Sequence, residues 1–481
     1  MKEYHLDSLF YLAAAIFLSG CLPRGTGQKE EYSNDEQKLS GNRGGNSRAA
    51  GRRLALDAYS KLQRRPKEFT DADLVHLSHR KNLYVLNLSH TAVTDEGLKS
   101  FAHSDKLLEI DLSHTAATGE SLSYFGNNTQ LTSLNLSFIA LKDSHLAHLK
   151  PFLRLKKLYL QGTTITGEGF SHIVHLPISS LDLRTLPITP EGMASVGQLR
   201  NLQFLRLGGT HITDASLGKL AGCSLLAGLN LYDTKVTGSG LSALATLKHL
   251  DSVRLPPTFT LQGMRALMKL PHIKNLTLTA LPVTITDAWL LAAAGNTYIV
   301  TLYLNAKNIT DNGFSRISTL TGVRFASIID GAHLTAGAIT QIGRMHSLEG
   351  LVLPKFRGHK ADWTALVSIK SLKTLAVNHT PIPLWALKIL AGHTKMEGLA
   401  LRISDASQDI RSTLARLSHL NRLEIFHNAK QKGQSARGSQ GASRMRERHC
   451  IVFPPWIHTL KKRLGKTRLV YNGNFLQSAC P

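Results

Sequence analysis

Leu83-Tyr84-Val85-Leu86-Asn87-Leu88, Leu155-Lys156-Lys157-Leu158-Tyr159-Leu160 and Leu202-Gln203-Phe204-Leu205-Arg206-Leu207 share one pattern, L-x-x-L-x-L. Its last apolar residue recurs at Leu88, Leu112, Leu136, Leu160, Leu183, Leu207, Leu231, Leu255, Leu278, Leu304, Ile328, Leu353, Val377, Leu401 and Ile425. Fifteen copies at steps of 23 to 26 residues, 24 the commonest, mark a repeat architecture rather than a chance run. The alternation L-x-L has the period of a half-buried strand.

Each copy has a second half. Thr91-Ala92-Val93-Thr94-Asp95-Glu96-Gly97-Leu98 is matched by Thr210-His211-Ile212-Thr213-Asp214-Ala215-Ser216-Leu217. Thr and Asp at this point are predicted N-caps, whose side-chain oxygens accept orphan amide protons. Apolar residues then fall three apart, as Leu98 and Phe101, Leu122 and Phe125, Leu217 and Leu220, Phe314 and Ile317, Trp363 and Leu366. That spacing predicts a short helix in every coil.

Strand and capped helix in one coil resemble the leucine-rich-repeat family, in particular its T-D-x-G-L-x-x-L subtype. That subtype occurs in bacterial surface and effector proteins and in the substrate-binding arms of F-box proteins. The resemblance spans about residues 70–428. It implies an α/β solenoid, a horseshoe with parallel β-strands on the concave face and short helices on the convex face. Strands stack ~4.8 Å apart while helices need ~8–10 Å, so such an array bends, with an inner arc of roughly 70 Å. The sequence departs from the family's commonest pattern three residues after the last strand Leu. Thr91, Thr115, Thr163, Thr210, Thr234, Thr258 and Thr380 stand there in place of Asn, and Leu186, Leu281, Lys307 and Phe356 break the position.

The ends are composed differently. Residues 9–18 (LFYLAAAIFL) form an apolar run that stops at Ser19-Gly20-Cys21, which reads as a signal peptide over residues 1–20 rather than a span. Leu18-Ser19-Gly20-Cys21 resembles the lipobox of bacterial lipoproteins, and the resemblance implies lipidation of Cys21 and an exported, membrane-anchored protein. The leader is hardly positive, with Lys2 set against Glu3 and Asp7, and an N-terminal apolar helix with an incidental Cys is the alternative. Residues 21–51 are too polar to offset chain entropy and are expected to be a tether. Residues 52–77 read as an N-terminal cap, a half-repeat with the helix and no strand, before the array at 78–428.

Periodicity fails after His427. Residues 429–481 are expected to hold a basic linker and a C-terminal cap. Within them Arg444, Arg446, Arg448, Lys461, Lys462, Arg463, Lys466 and Arg468 interleave with Phe453, Trp456, Ile457, Leu460 and Leu464. A cap with a solvated basic face is one account; contact with an anionic membrane or nucleic acid is the other. Cys450 and Cys480 bracket this segment, and in an exported protein a disulfide between them would be worth ~3–4 kcal/mol.

For function, 57 Lys and Arg against 33 Asp and Glu, a formal charge of +24, favour anionic partners without naming one. The residues between the strand anchors face away from the core. Tyr159, Arg184, Phe204, Arg206, Tyr232, Arg254 and Tyr303 occupy such positions, and Tyr and Arg on a rigid sheet are enriched at binding hot spots. They are the candidate partner-binding residues, with a solvated strand face as the alternative. The 22 His residues are dispersed by the repeat, with no H-E-x-x-H, and no phosphate loop or G-x-S-x-G elbow occurs. The expectation is a monomeric, non-catalytic scaffold of the bacterial cell envelope, without cofactor, binding a protein ligand on its concave face and the membrane through its lipid. Two other functions compete with it. One is a secreted effector that engages host ubiquitin machinery; the other is nucleic-acid binding through the basic tail.

Overall fold

A computed structural model describes residues 54–57, 69–75, 83–279, 281–330, 334–353, 356, 358–427, 455–464 and 467–473. The leader, Cys21, the tether, residues 429–443, Cys450 and Cys480 lie outside them. Two compact units divide between His272 and Ile273.

In the first unit every described strand pairs parallel with the next in the chain, from Leu54–Asp57 and Leu83–Asn87 to Ser252–Arg254. Register brings Leu86, Ile110, Leu134, Leu158, Leu181, Leu205, Leu229 and Val253 into one line, all buried. A coil alone cannot hide such residues. Each Leu removed from water by its neighbours contributes roughly 1.5–3 kcal/mol, and stacking is what removes it.

The strand at Leu54–Asp57 corrects the half-repeat expectation: the N-terminal segment has a strand as well as the helix Asp71–Val75. Leu54-Ala55-Leu56 carries the L-x-L signal, but Leu56 lies opposite Leu86, thirty residues on, and the longer step hides it from a 24-residue search.

The period-three stretches of this unit are largely 3₁₀ turns, at Lys99–Phe101, Gly119–Phe125, Asp143–Leu149, Glu168–Ile173, Gly218–Gly222 and Ser239–Leu244. Three residues per turn put Leu122 directly above Phe125, so a spacing of three buries both.

Capping is also subtler than predicted. Thr94 and Thr118 cap their own helices, accepting from the N–H of Glu96 and Glu120. The Asp reaches forward instead. Asp71 accepts from the Thr94 amide and hydroxyl, Asp95 from those of Thr118, and Asp287 from those of Thr310. The Gly of T-D-x-G follows from this reach. A Cβ on Gly97 would lie 2.3 Å from Asp71 Oδ1, and one on Gly313 2.2 Å from Asp287 Oδ1.

In the second unit the described strands, from Asn275–Thr277 to Arg468–Gly473, are again parallel, and the helices are α-helical turns of seven to ten residues such as Asp311–Ile317 and Lys360–Val367. The ladder that continues Tyr303 turns apolar through Val352, Ala376 and Ala400, which bury with Phe426 while Phe325 packs against them. The coil pattern does not end at His427. Arg468–Gly473 pairs with Arg422–His427, and the helix Pro455–Leu464 buries Leu460 and Leu464 while Lys461, Lys462 and Arg463 stay exposed.

Candidate functional site: the strand face of the first unit

The expected Asn position is served by Thr. The hydroxyls of Thr91, Thr115, Thr163, Thr210 and Thr234 donate to the carbonyls of Leu88, Leu112, Leu160, Leu207 and Leu231 at 2.6–2.8 Å. One residue earlier the backbone is left-handed, at φ 56–62° for His90, His114, Phe138, Thr185 and Asp233, and Gly162 and Gly209 hold the same place. A non-glycine residue there costs roughly 1–2 kcal/mol. Part of this is offset by stacking: His90 on His114 at 4.3 Å and His114 on Phe138 at 4.2 Å between ring centroids.

Register places Asn87, Asp111, Asn135, Tyr159, Asp182, Arg206, Asn230 and Arg254 in one ladder on the strand face. Most of its amides and carboxylates serve the fold. Asn87 accepts from Ser89 N–H at 3.0 Å, Asp111 from Ser113 N–H at 2.9 Å, and Asn230 from Tyr232 N–H at 2.9 Å. Each is an Asx turn that steers the chain off its strand.

Asp182 does this and more. Its side chain is 2% exposed, accepts from Arg184 N–H at 3.1 Å, and grips the Arg184 guanidinium from two sides, with Nε 3.0 Å from each oxygen and Nη2 2.8 Å from Oδ2. From the next strand, Arg206 Nη1 comes within 3.5 Å of the same Oδ2. Two guanidiniums, each 40% exposed, thus share one buried carboxylate. Two strands on from Arg206, Arg254 lies over the Tyr232 ring, 4.6 Å from its centroid, and Tyr232 is 41% exposed. Phe204, half-buried, precedes Arg206 on the same strand, and Gly208 follows it, where a Cβ would lie 3.0 Å from the Tyr232 carbonyl oxygen and 3.7 Å from Arg184 Cγ.

Six of the seven sequence candidates therefore gather along five neighbouring strands of the first unit, Tyr159, Phe204, Arg206 and Arg254 on strands and Arg184 and Tyr232 in the turns that follow theirs. Tyr303 does not join them. It belongs to the second unit, in the Thr277–Tyr303–Ser327 ladder, where burial pushes its phenol above the usual value. Asp182 was the missed residue. An Asp two before one Arg and one coil before another is the signal that could have found it.

His145 and His175 tie one coil to another. His145 Nδ1 accepts from Lys142 N–H at 3.0 Å while its Nε2 lies 3.2 Å from Glu120, and His175 Nε2 lies 3.3 Å from the Lys150 carbonyl. Among the described residues no group of three His, Cys, Asp or Glu could hold a metal ion, and no helix is long and apolar enough to cross a membrane.

A family sequence profile described as Leucine Rich repeat matches residues 79–102. No curated protein sequence matches the chain. Among solved structures, the TLR13–ssRNA13 complex aligns with a TM-score of 0.50 at 17% identity, over 73% of this chain and 57% of that one. An internalin from Listeria monocytogenes aligns over 82% and 85% of the two chains at 13% identity and a TM-score of 0.31. The plant peptide hormone receptor RGFR1 in complex with RGF2 aligns over 82% and 67% at 14% identity and a TM-score of 0.34. At these identities the likeness is one of fold, and this chain spans little more than half of the TLR13 chain. Repeat period, strand register and the matched profile agree on a leucine-rich-repeat fold for this chain.

Proposed function

We propose that this protein is a non-catalytic scaffold that binds a protein partner on the strand face of its first unit, and that it is exported and held to a bacterial membrane through lipidated Cys21. One observation carries the binding half: Arg184 and Arg206 are braced on buried Asp182, beside Arg254 lying over the Tyr232 ring. Exposed aromatic and guanidinium groups fixed by their neighbours lose little entropy when a partner docks. Tyr303 belongs to the same proposal as a separate contact on the second unit.

A photo-crosslinker at position 252, beside Arg254 on the strand face, tests the first half in cells against one at position 243 on the helical side. The expected result is a discrete protein adduct from 252 alone. Equal labelling from both positions rejects the reading. Palmitate incorporation lost in Cys21→Ala tests the anchor, and non-reducing mass mapping of Cys450 and Cys480 tests the disulfide. A second contact, of the basic helix Pro455–Leu464 with an anionic surface, is favoured by the exposure of Lys461, Lys462 and Arg463 above buried Leu460 and Leu464. Affinity for anionic vesicles that falls steeply with salt, and is lost on deleting residues 429–481, is its signature.

A further inference from the structure

We infer that the partner presents an extended acidic segment, with two carboxylate side chains three residues apart, one for Arg206 and one for Arg254. The inference rests on the strand-face reading above and names its chemistry.

The two arginines stand in one ladder column, with Asn230 between them. At ~4.8 Å per strand their backbones are about 10 Å apart, close to one turn of a polyproline-II segment, three residues at ~3.1 Å each, which brings side chains three apart onto the same face. Their donors are differently committed from those of Arg184. Arg184 spends Nε and Nη2 on Asp182. Arg206 meets Asp182 through Nη1 alone, at 3.5 Å, so its Nε–Nη2 edge is open to a ligand. Arg254 is exposed, with its guanidinium carbon over the Tyr232 ring. A planar fork with two parallel donors matches a carboxylate. Asn230 cannot compete for that ligand through its oxygen, because Oδ1 is taken by the Tyr232 amide. Phe204 and Tyr232 give the segment apolar flanks.

Charge decides the class of partner. Lys157, Arg184, Arg206 and Arg254 stand against buried Asp182 and exposed Asp233 within five strands, roughly 20 Å of sheet. Toward the N-terminus the ladder runs on as Asn135, Asp111 and Asn87, with Glu109 alongside. A nucleic-acid strand needs a basic track along its phosphates. A bounded positive patch beside an acidic flank suits one short acidic motif.

The test is selection of short random displayed peptides on the intact chain, followed by affinity measurement on a synthetic winner with an amidated C-terminus. Enrichment of acid pairs three apart is expected. Affinity should fall about tenfold or more when either acid becomes its amide, and equally in Arg206→Ala or Arg254→Ala, the scale for losing one partner of a close charge pair. Arg206→Gln, which keeps most of the side-chain bulk, should behave like Arg206→Ala, with an unchanged thermal midpoint as the folding control. Winners without acids that ignore both arginines but are lost in Phe204→Ala or Tyr232→Ala overturn this inference and leave the strand-face reading standing. Winners indifferent to all four substitutions overturn both. Dependence on a free C-terminal carboxylate, or displacement by a charge-matched single-stranded oligonucleotide at lower concentration, also overturns the inference.

Discussion

Asp143 accepts four hydrogen bonds from the following coil: Thr166 through its amide at 2.8 Å and its hydroxyl at 2.9 Å, Gly167 N–H at 3.0 Å and Gly169 N–H at 2.9 Å. Asp214 repeats the arrangement with Thr237, Gly238 and Gly240. These carboxylates stitch coil to coil on the helical side as the leucines do in the core. Asp143→Ala should destabilise the chain by about 1.5–3 kcal/mol, the range for hydrogen bonds to a charged acceptor. Asp143→Asn should cost less, because an amide oxygen still accepts. Urea midpoints of the two variants check the order.

The same groups set an acid limit. Burial alone would push the Asp143 and Asp214 carboxyls up, but the hydrogen bonds together outweigh it and hold both below their usual value. Glu349 is lowered despite burial by Arg324 at 2.7 Å and Lys373 at 3.3 Å. A carboxyl whose folded pKa is depressed stabilises the fold fully above its unfolded value, about 4, and loses that contribution as pH falls through the folded value. Melting temperature should therefore be nearly flat above about pH 5 and fall below about pH 4. The Asp143→Asn, Asp214→Asn double variant should show a shallower acid limb.

Glycine tolerance should split by surroundings. Gly162 has φ 70° and the Phe138 ring where a Cβ would go, at 2.4 Å, whereas Gly295 has φ 79° and nothing within 4 Å. Gly295→Ala should cost about 1–2 kcal/mol for its left-handed backbone alone. Gly162→Ala should cost more, and removing the ring in a Phe138→Ala background should return it toward the Gly295→Ala value. A double-mutant cycle in denaturant reads the coupling.

Cys223 is fully buried, and burial pushes its thiol up to about 11 against a small opposing pull from Arg200. Iodoacetamide at neutral pH should leave it unmodified in the native chain and modify it in denaturant. Mass mapping of the alkylated peptide checks this.

How much of this was legible beforehand differs by feature. The leucine columns were, because hydrophobic period and coil step are properties of the sequence itself. Period three foretold the helical side, although it could not distinguish an α turn from the 3₁₀ turn at Gly119–Phe125, since both place Leu122 near Phe125. The forward reach of Asp95 to Thr118 was hidden: Thr-Asp is also a capping pair, and sequence alone does not say which coil a carboxylate serves. At the site, the position of Arg206 and Tyr232 on the strand face followed from alternation. The burial of Asp182 did not, because Asp111 occupies the same ladder with a half-exposed side chain and no guanidinium on it. What distinguishes them are the residues two on and one coil onward, Ser113 and Asn135 for one, Arg184 and Arg206 for the other.

The forward stitch has an evolutionary corollary. Donor and acceptor sit 23 residues apart at Asp71–Thr94, Asp95–Thr118, Asp143–Thr166, Asp214–Thr237 and Asp287–Thr310 alike. Excising or duplicating one whole period therefore hands each acid an equivalent hydroxyl, and unequal recombination in phase can change the number of coils without inventing a new junction. An insertion out of phase strands one carboxylate against water and one Thr against nothing, so length variation in this lineage should come in whole coils.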